Sequence, residues 1–420
     1  YSAATVGPVI KNETPQPVAA PRSSFVRRLA GAQEAGLVLV IILMGTALTL
    51  LGGNKQKQFR IAVPEGASIV EYDASGTESQ LGTLPLQQIT GWRVATGDET
   101  KTYERASGYS FNANQNAFFG RRTVNKFLDS ENLVLVAKDA SFIAIMAVGM
   151  TAVIILAGID LSVGAIYGLS ALLGAMALQK VAGQEAGLFM SLPVGVGVCC
   201  LVGLACGAAN GLMIVGLRVH PFVITLGTMA AYRGIIFVIS GGQSVGNFPQ
   251  SFTSGFFKAE FAGTYPVPVI VMIIVGVVGM FILAKTVVGR QVYAIGGNET
   301  AAKYAGIPVG RVKIIVYSLL GLLAGLSAAV YLGYLGAAEP NAGMTYELKV
   351  IAATVIGGAS LMGGRGSAIG AVLGAIVIQL IDNGMIILEI DQSYNQIVMG
   401  VAIIIAVVID QAKARLAPKG

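Results

Sequence analysis

The feature that most constrains this chain is a succession of apolar runs, most of them about 20 residues long, the length a helix needs to cross a bilayer core. They lie at 35–53, 140–158, 163–181, 192–216, 221–240, 267–285, 313–335, 368–388 and 396–409. A shorter run at 345–356 is flanked by glycines and is either a short crossing or a re-entrant segment. Counted as a crossing, it brings the number to ten. Only 12% of the residues are charged and the mean hydropathy is +0.72. A soluble domain carries roughly 25% charge, so this chain has too little polar surface to cover itself in water. Its 55 glycines fit the same reading. Helices already in lipid gain nothing from apolar burial and use small residues to bring backbones close. The expected fold is an all-α polytopic membrane protein of about ten transmembrane helices.

Residues 54–139 differ in character. They hold ten Lys/Arg, ten Asp/Glu and the chain's one tryptophan, Trp92. Segments at 60–63, 68–72 and 92–94 have the β-branched and aromatic composition of short strands, punctuated by Gly66, Gly76, Gly82, Gly97 and Gly108. This predicts a small β-rich insert over 54–122, outside the cytoplasm, with an amphipathic helix near 121–136. The alternative is a disordered loop. The insert contains no cysteine and so no internal disulfide.

Charge sets the expected topology. Residues 1–34 form a Pro-containing tail ending in Arg22, Arg27 and Arg28, which places the N-terminus in the cytoplasm. With ten crossings, Arg218, the stretch 286–312, Arg365 and the tail 411–420 with Lys413, Arg415 and Lys419 fall on the same side. The weakly charged turn near Gln184 and the loop 241–265 fall outside. Both termini are then cytoplasmic, and residues 123–410 form the main membrane domain. No cleavable leader is expected, because the first apolar run is long enough to remain as an anchor. The net charge of +6 follows from these flanking Lys and Arg rather than from a nucleic-acid surface.

Glycines recur at helical spacing in Gly203, Gly207 and Gly211; Gly321 and Gly325; and Gly366, Gly370 and Gly374. Each set predicts one close helix contact. The glycines at 363–370 do not form a dinucleotide loop, since no strand precedes them. Ionisable residues expected at membrane depth are few: Asp160, Arg233, Glu347, Lys349 and Asp382. Such residues are costly in lipid and are functional candidates. Asp160 and Asp382 are expected near helix ends, within reach of water. Asp160, Ser162, Asn210 and Glu347 are the candidates for the translocation path, with helix packing as the alternative for Asn210. Cys199, Cys200 and Cys206 share one apolar run and read as small buried hydrophobes, and the lone His220 precedes Pro221 at a loop-to-helix junction. No GxxxxGK[ST] phosphate loop occurs, and no histidine stands with a nucleophile. The chain therefore reads as neither an enzyme nor an ATPase.

The most informative polar stretch is Gly289-Arg-Gln-Val-Tyr-Ala-Ile-Gly-Gly-Asn-Glu-Thr-Ala-Ala-Lys-Tyr-Ala-Gly-Ile-Pro308. Gly296 and Gly297 break the chain, Asn298 can cap a helix, and Glu299 suits the positive end of its dipole. Ala301, Ala302 and Ala305 give that helix a small face before Gly306 and Pro308 end it. It is either an ordinary capped loop helix or a knob that docks into a partner's groove.

Several runs carry a family resemblance. They are Ile145-Met-Ala-Val-Gly-Met-Thr151, Ala157-Gly-Ile-Asp-Leu-Ser-Val-Gly164, Tyr293-Ala-Ile-Gly-Gly-Asn-Glu299, Lys313-Ile-Ile-Val-Tyr-Ser-Leu-Leu-Gly-Leu-Leu-Ala324, Tyr346-Glu-Leu348, Ile351-Ala-Ala353 and Gly357-Gly-Ala-Ser-Leu-Met-Gly-Gly-Arg-Gly366. Together they resemble the ribose/xylose/galactoside-type permeases of ABC importers, over 123–410 and the first helix. The resemblance implies a bacterial cytoplasmic membrane and two permease chains forming a pore. It also implies two ATP-binding cassette subunits that bind the ATP, so no cofactor in this chain, and an extracytoplasmic sugar-binding protein. It makes the helix at 299–306 a coupling helix, with Glu299, Ala301, Ala302 and Gly306 at its recognisable positions. Two departures stand out: roughly 70 residues inserted after the first helix, where the family has a short link, and Lys349 where relatives tend to carry an acidic residue. The first bears on how the binding protein docks, the second on substrate preference. Competing readings are a secondary carrier or channel that needs no ATPase, and a receptor whose insert is the working part. Which sugar is carried is not readable from the helices.

Overall fold

The computed structural model describes residues 23–97, 99–182, 187–261 and 264–416. Most of the proline-containing tail, and the turn near Gln184, lie outside the described residues. The first helix, α1 (Ser23–Leu51), begins earlier than its apolar run, and residues 34–51 of it are apolar enough to cross a membrane.

The next segment is built from strands: β1 (Asn54–Ala62), β2 (Ser68–Tyr72), β3 (Glu78–Gln80), β4 (Gly91–Thr96), β5 (Glu99–Glu104), β6 (Ser110–Asn112) and β7 (Ala117–Asn125). They form two antiparallel sheets, ordered β1-β7-β6 and β3-β2-β4-β5. β1 and β7 pair along their whole length, from Asn54 opposite Asn125 to Ala62 opposite Ala117. The chain thus leaves α1 and returns to the next helix through one two-stranded ribbon. The two sheets share a core in which fully buried Phe118 of β7 stacks on Tyr103 at 4.4 Å and meets Trp92 edge-on at 5.8 Å. Aromatic burial of this kind stabilises a unit too small to rely on aliphatic volume alone.

The amphipathic helix expected at 121–136 does not exist as such. Residues 121–125 complete β7, and α2 (Ser130–Ile155) starts ten residues before its apolar run. The early start is possible because Lys138 and Asp139 pair with each other at 2.7 Å, and the Lys138 ammonium lies 4.7 Å from the centre of the Tyr334 ring. A charge pair that read as the end of a loop is carried inside the helix.

The remaining helices are α3 (Val163–Ala182), α4 (Leu188–Leu217), α5 (Pro221–Ser240), α6 (Val267–Lys285), α7 (Val287–Gly297), α8 (Glu299–Tyr304), α9 (Val309–Leu335), α10 (Tyr346–Ile356), α11 (Ala368–Ile387) and α12 (Asn395–Leu416). Residues 411–416, expected in the tail, continue α12. α7 was not expected as a helix: Thr286 caps it by accepting the Gly289 N–H. Among the described residues, eight helices are long and apolar enough to span: α1 to α6, α9 and α11. α10 is not. Its 11 residues rise about 16 Å, roughly half of a bilayer core.

α2, α3, α9 and α11 form the buried interior, while α1, α4, α5 and α6 leave apolar flanks exposed. Such flanks are what lipid solvates. A tight crossing joins α4 to α9, where a methyl on Gly203 or Gly321 would overlap the other's carbonyl oxygen. Gly325 packs against the Cys199 backbone in the same crossing, and Gly374 of α11 packs against Ala353 of α10. The glycine stripes therefore mark real contacts between helices, except that Gly366 lies in the loop before α11, against the Ile155 side chain.

Candidate functional site: a broken centre and a docking helix

The loops sort into two ends of the bundle. Gly364 donates its N–H to the Ile155 carbonyl at 2.9 Å, so the α2 terminus and the 357–367 loop share one end. The Lys313 ammonium meets Glu299 at 2.9 Å, which ties α8 to the start of α9 near that end. At the opposite end, Lys126 pairs with Glu389 at 2.7 Å, and Val245 and Ala338 exchange backbone hydrogen bonds at 2.8–2.9 Å.

Two helices begin inside the bundle rather than at an end. α10 runs from Tyr346 to Ile356, and Gly357 beyond it packs on Gly370 at the Gly364 end. Its N-terminus is therefore about 16 Å from that end. α3 begins at the same level, because a methyl on Gly164 would strike both the Gly343 carbonyl and the Glu347 carboxylate. The chain reaches these points through non-helical segments, 156–162 before α3 and 336–345 before α10. Irregular backbone at membrane depth survives only where protein shields it. Here Arg233 of α5 donates to the carbonyls of Ala342 at 2.8 Å and Pro340 at 3.5 Å, clamping the second segment. Thr345 (φ +66°) and Ala157 (φ +57°) hold left-handed conformations where the two segments turn.

Asp160, Ser162 and Asn210 form one buried network. Asp160 Oδ1 accepts from the Ser162 amide (2.7 Å) and hydroxyl (2.6 Å), and Asn210 Nδ2 donates to Asp160 Oδ2 at 3.2 Å and Ser162 Oγ at 2.7 Å. The carboxylate sits just before the N-terminus of α3, where the helix dipole favours negative charge. All three residues are fully buried. Water access to Asp160, expected from its place near a helix end, is not what the structure has: the connector folds inward rather than outward.

Glu347 stands apart from them, half-buried in the first turn of α10, with its carboxylate at the N-terminus of α3. One carboxylate thus faces two helix N-termini, an arrangement both dipoles stabilise. Arg233 acts on it electrostatically from α5. Arg233, flagged in the sequence as a costly charge in an apolar run, takes its place here beside Glu347, which the sequence did not indicate.

Asp382 is also buried rather than water-exposed. Its Oδ2 meets the Lys349 ammonium at 2.6 Å and its Oδ1 accepts from Asn395 at 2.8 Å, with the lysine and aspartate side chains 18% and 10% exposed. Lys349 therefore points into a contact of α10 with α11 and α12. The unusual lysine after Glu-Leu has a packing partner, which accounts for it without reference to the transported molecule.

α8 follows its expected cap. Asn298 accepts the Ala301 N–H at 2.9 Å, and Gly306 (φ +81°) ends the turn. Lys303 at 2.8 Å and Lys313 at 2.9 Å hold the Glu299 carboxyl below the usual carboxylate range. Ala301 and Gly306 are exposed, whereas Ala302 turns inward and is buried. Tyr304 is 90% exposed, an aromatic with no cover among the described residues. It was missed although the signal was present: a tyrosine flanked by small residues on a capped loop helix.

His220 caps α5, its Nδ1 accepting the Phe222 N–H at 3.3 Å. Cys199 is fully buried and Cys200 and Cys206 are half-buried, all three free thiols. Among the described residues no cluster of His, Cys, Asp or Glu is arranged to hold a metal.

Crossing helices, broken centre and exposed capped helix together define a polytopic transport subunit. The chain belongs to the family described as branched-chain amino acid transport system / permease component, which matches residues 132–407. It is 41% identical to the D-allose transport system permease protein of Escherichia coli strain K12, over 70% of this chain and 88% of that protein. It is 40% identical to the ribose import permease protein of the same strain, over 68% and 88%. It is 32% identical to the xylose transport system permease protein of Haemophilus influenzae, over 71% and 94%. No solved structure is a significant match.

Proposed function

We propose that this chain is the membrane-spanning permease subunit of an ATP-driven importer for a monosaccharide of the ribose, allose or xylose kind. The observation that carries the reading is α8. It is a capped helix held by Glu299 to two lysines, with Tyr304, Ala301 and Gly306 open to a partner and its base packed on the membrane domain. The partner is a separate ATP-binding cassette subunit, so ATP binds there and this chain holds no cofactor of its own.

Ten crossings are the topology. α12 supplies the ninth, its 22 residues rising about 33 Å. The tenth is a broken crossing, the non-helical 336–345 followed by α10. With ten, both termini and α8 are cytoplasmic and the β-rich insert lies outside, at the end where Lys126 meets Glu389. A second copy of the chain completes the pore, and an extracytoplasmic binding protein delivers the sugar beside the insert. Glu347 lies on the translocation path, while Asp160, Ser162 and Asn210 shape it by fixing the start of α3.

The test is purification of the chain from its native membrane in mild detergent, with co-purifying polypeptides identified by mass spectrometry. A phosphate-loop ATPase should be recovered, and should be lost when 299–306 is scrambled. A chain that purifies alone and still transports would promote the carrier reading and defeat this one.

A further inference from the structure

At Gly296 three segments of the chain meet backbone to backbone. A methyl group on it would overlap the Ile155 carbonyl oxygen and lie 2.7 Å from the Gly364 nitrogen. Gly364 (φ +72°) donates its N–H to that same Ile155 oxygen. On the other side, a methyl on Gly363 (φ +86°) would come within 2.7 Å of the Gly296 carbonyl and 3.0 Å of Ala157 Cβ. Tyr293, one turn earlier on α7, donates its hydroxyl to the Gly366 carbonyl at 2.8 Å. Buried Val292 and Ile295 seat the same helix against the core.

The position of this joint gives it a mechanical consequence. Ile155 ends α2, Gly296 is the penultimate residue of α7, and α8 begins three residues later at Glu299. From Ile155 the connector 156–162 leads to the N-terminus of α3. From Gly363 the chain leads back through Gly357 to α10, a rigid rod whose far end faces α3. At Gly296 backbone meets backbone with no side chain between, and packed backbone is not continuously deformable, so the joint shifts as a unit or not at all.

We propose that Tyr293 and Gly296 are positioning residues for coupling: their joint with Ile155 and Gly363–Gly366 carries movement of α8 to the opposed N-termini of α3 and α10. The proposal rests on the permease-subunit reading, in which a partner moves α8. Tyr293 locks the joint with one hydrogen bond, and the absent side chain of Gly296 lets three backbones touch.

The experiment uses the full chain with its co-purified ATPase in lipid nanodiscs and proteoliposomes, and the full chain alone. Tyr293→Phe removes one hydroxyl, and Gly296→Ala puts a methyl into the contact. Both variants should retain the ATPase and hydrolyse ATP within about two-fold of wild type. Sugar moved per ATP should fall about three-fold in Tyr293→Phe and about ten-fold in Gly296→Ala. In the chain alone, Tyr293→Phe should speed amide hydrogen exchange in 156–162 and 357–367 together. Unchanged sugar per ATP in both variants would overturn the proposal, as would faster exchange confined to 357–367. If Gly296→Ala does not fold, Tyr293→Phe decides alone. A wild-type chain that holds no ATPase would sink the permease-subunit reading instead, and the exchange measurement would still judge the joint.

Discussion

At Asp129, immediately before α2, two lysines of β1 converge on one carboxylate: Lys55 on Oδ2 at 2.7 Å and Lys57 on Oδ1 at 2.6 Å. The side chain is 2% exposed and makes no capping hydrogen bond, serving the ribbon rather than the helix. Lys55 first, then Lys57, hold its carboxyl down to about 2, from an ordinary value of 3.8. A depressed folded value means the stabilisation is complete above the unfolded value and is lost as pH falls through the folded one. Attachment of the ribbon to α2 should therefore weaken as pH drops from about 4 to about 2. Trp92, the chain's one tryptophan and buried in the strand domain, reports this by fluorescence during denaturant unfolding at each pH. Asp129→Asn should flatten the dependence over that window, and an equal dependence in the variant would show that other carboxylates carry it. Residue roles of this kind were hard to read from the sequence. Asp129 and Lys57 are 72 positions apart, and Lys349 and Asp382 are 33 apart. Each looked like a solitary charge until the fold supplied its partner. Asn298 and Glu299 were readable because a helix cap is a local arrangement.

Among the elements, the spanning helices were legible because length and apolarity decide them, and the strand domain because its composition departs from both neighbours. Boundaries failed where charges sit inside a helix: the adjacent Lys138–Asp139 pair concealed the first turns of α2. α10 was recognised as unusual from its length and flanking glycines, but its head-to-head relation with α3 depends on contacts no local pattern encodes. The strand domain offers a test at this scale. Because Ala62 and Ala117 are paired across the ribbon, residues 63–116 can be replaced by an Asn-Gly turn with the lysine anchor on Asp129 left intact. The shortened chain should fold and retain the ATPase, while its affinity for the sugar-binding protein should change by about five-fold or more, as measured by surface binding to nanodiscs. Unchanged affinity and uptake would remove the domain from the docking surface.

For the molecule as a whole, the arrangement reads as three connected parts. The strand domain stands at one end, two helices start from a shared polar centre at Glu347, and α8 stands exposed at the other end, preceded by Gly296 packed on Ile155 and Gly364. The tight glycine crossings of α4 on α9 and α10 on α11 keep the intervening helices rigid enough to transmit displacement rather than absorb it. In the proposed importer, ATP binding on the partner subunit would bias this arrangement between outward and inward opening. The most direct measurement is uptake of radiolabelled ribose, allose and xylose into proteoliposomes holding this chain, its co-purified ATPase and its binding protein, with and without ATP at the ATPase face. Uptake of one of these sugars that requires ATP, and vanishes when 299–306 is scrambled, is the predicted result. Uptake that persists at the same rate without ATP, or in the chain alone, would contradict the account.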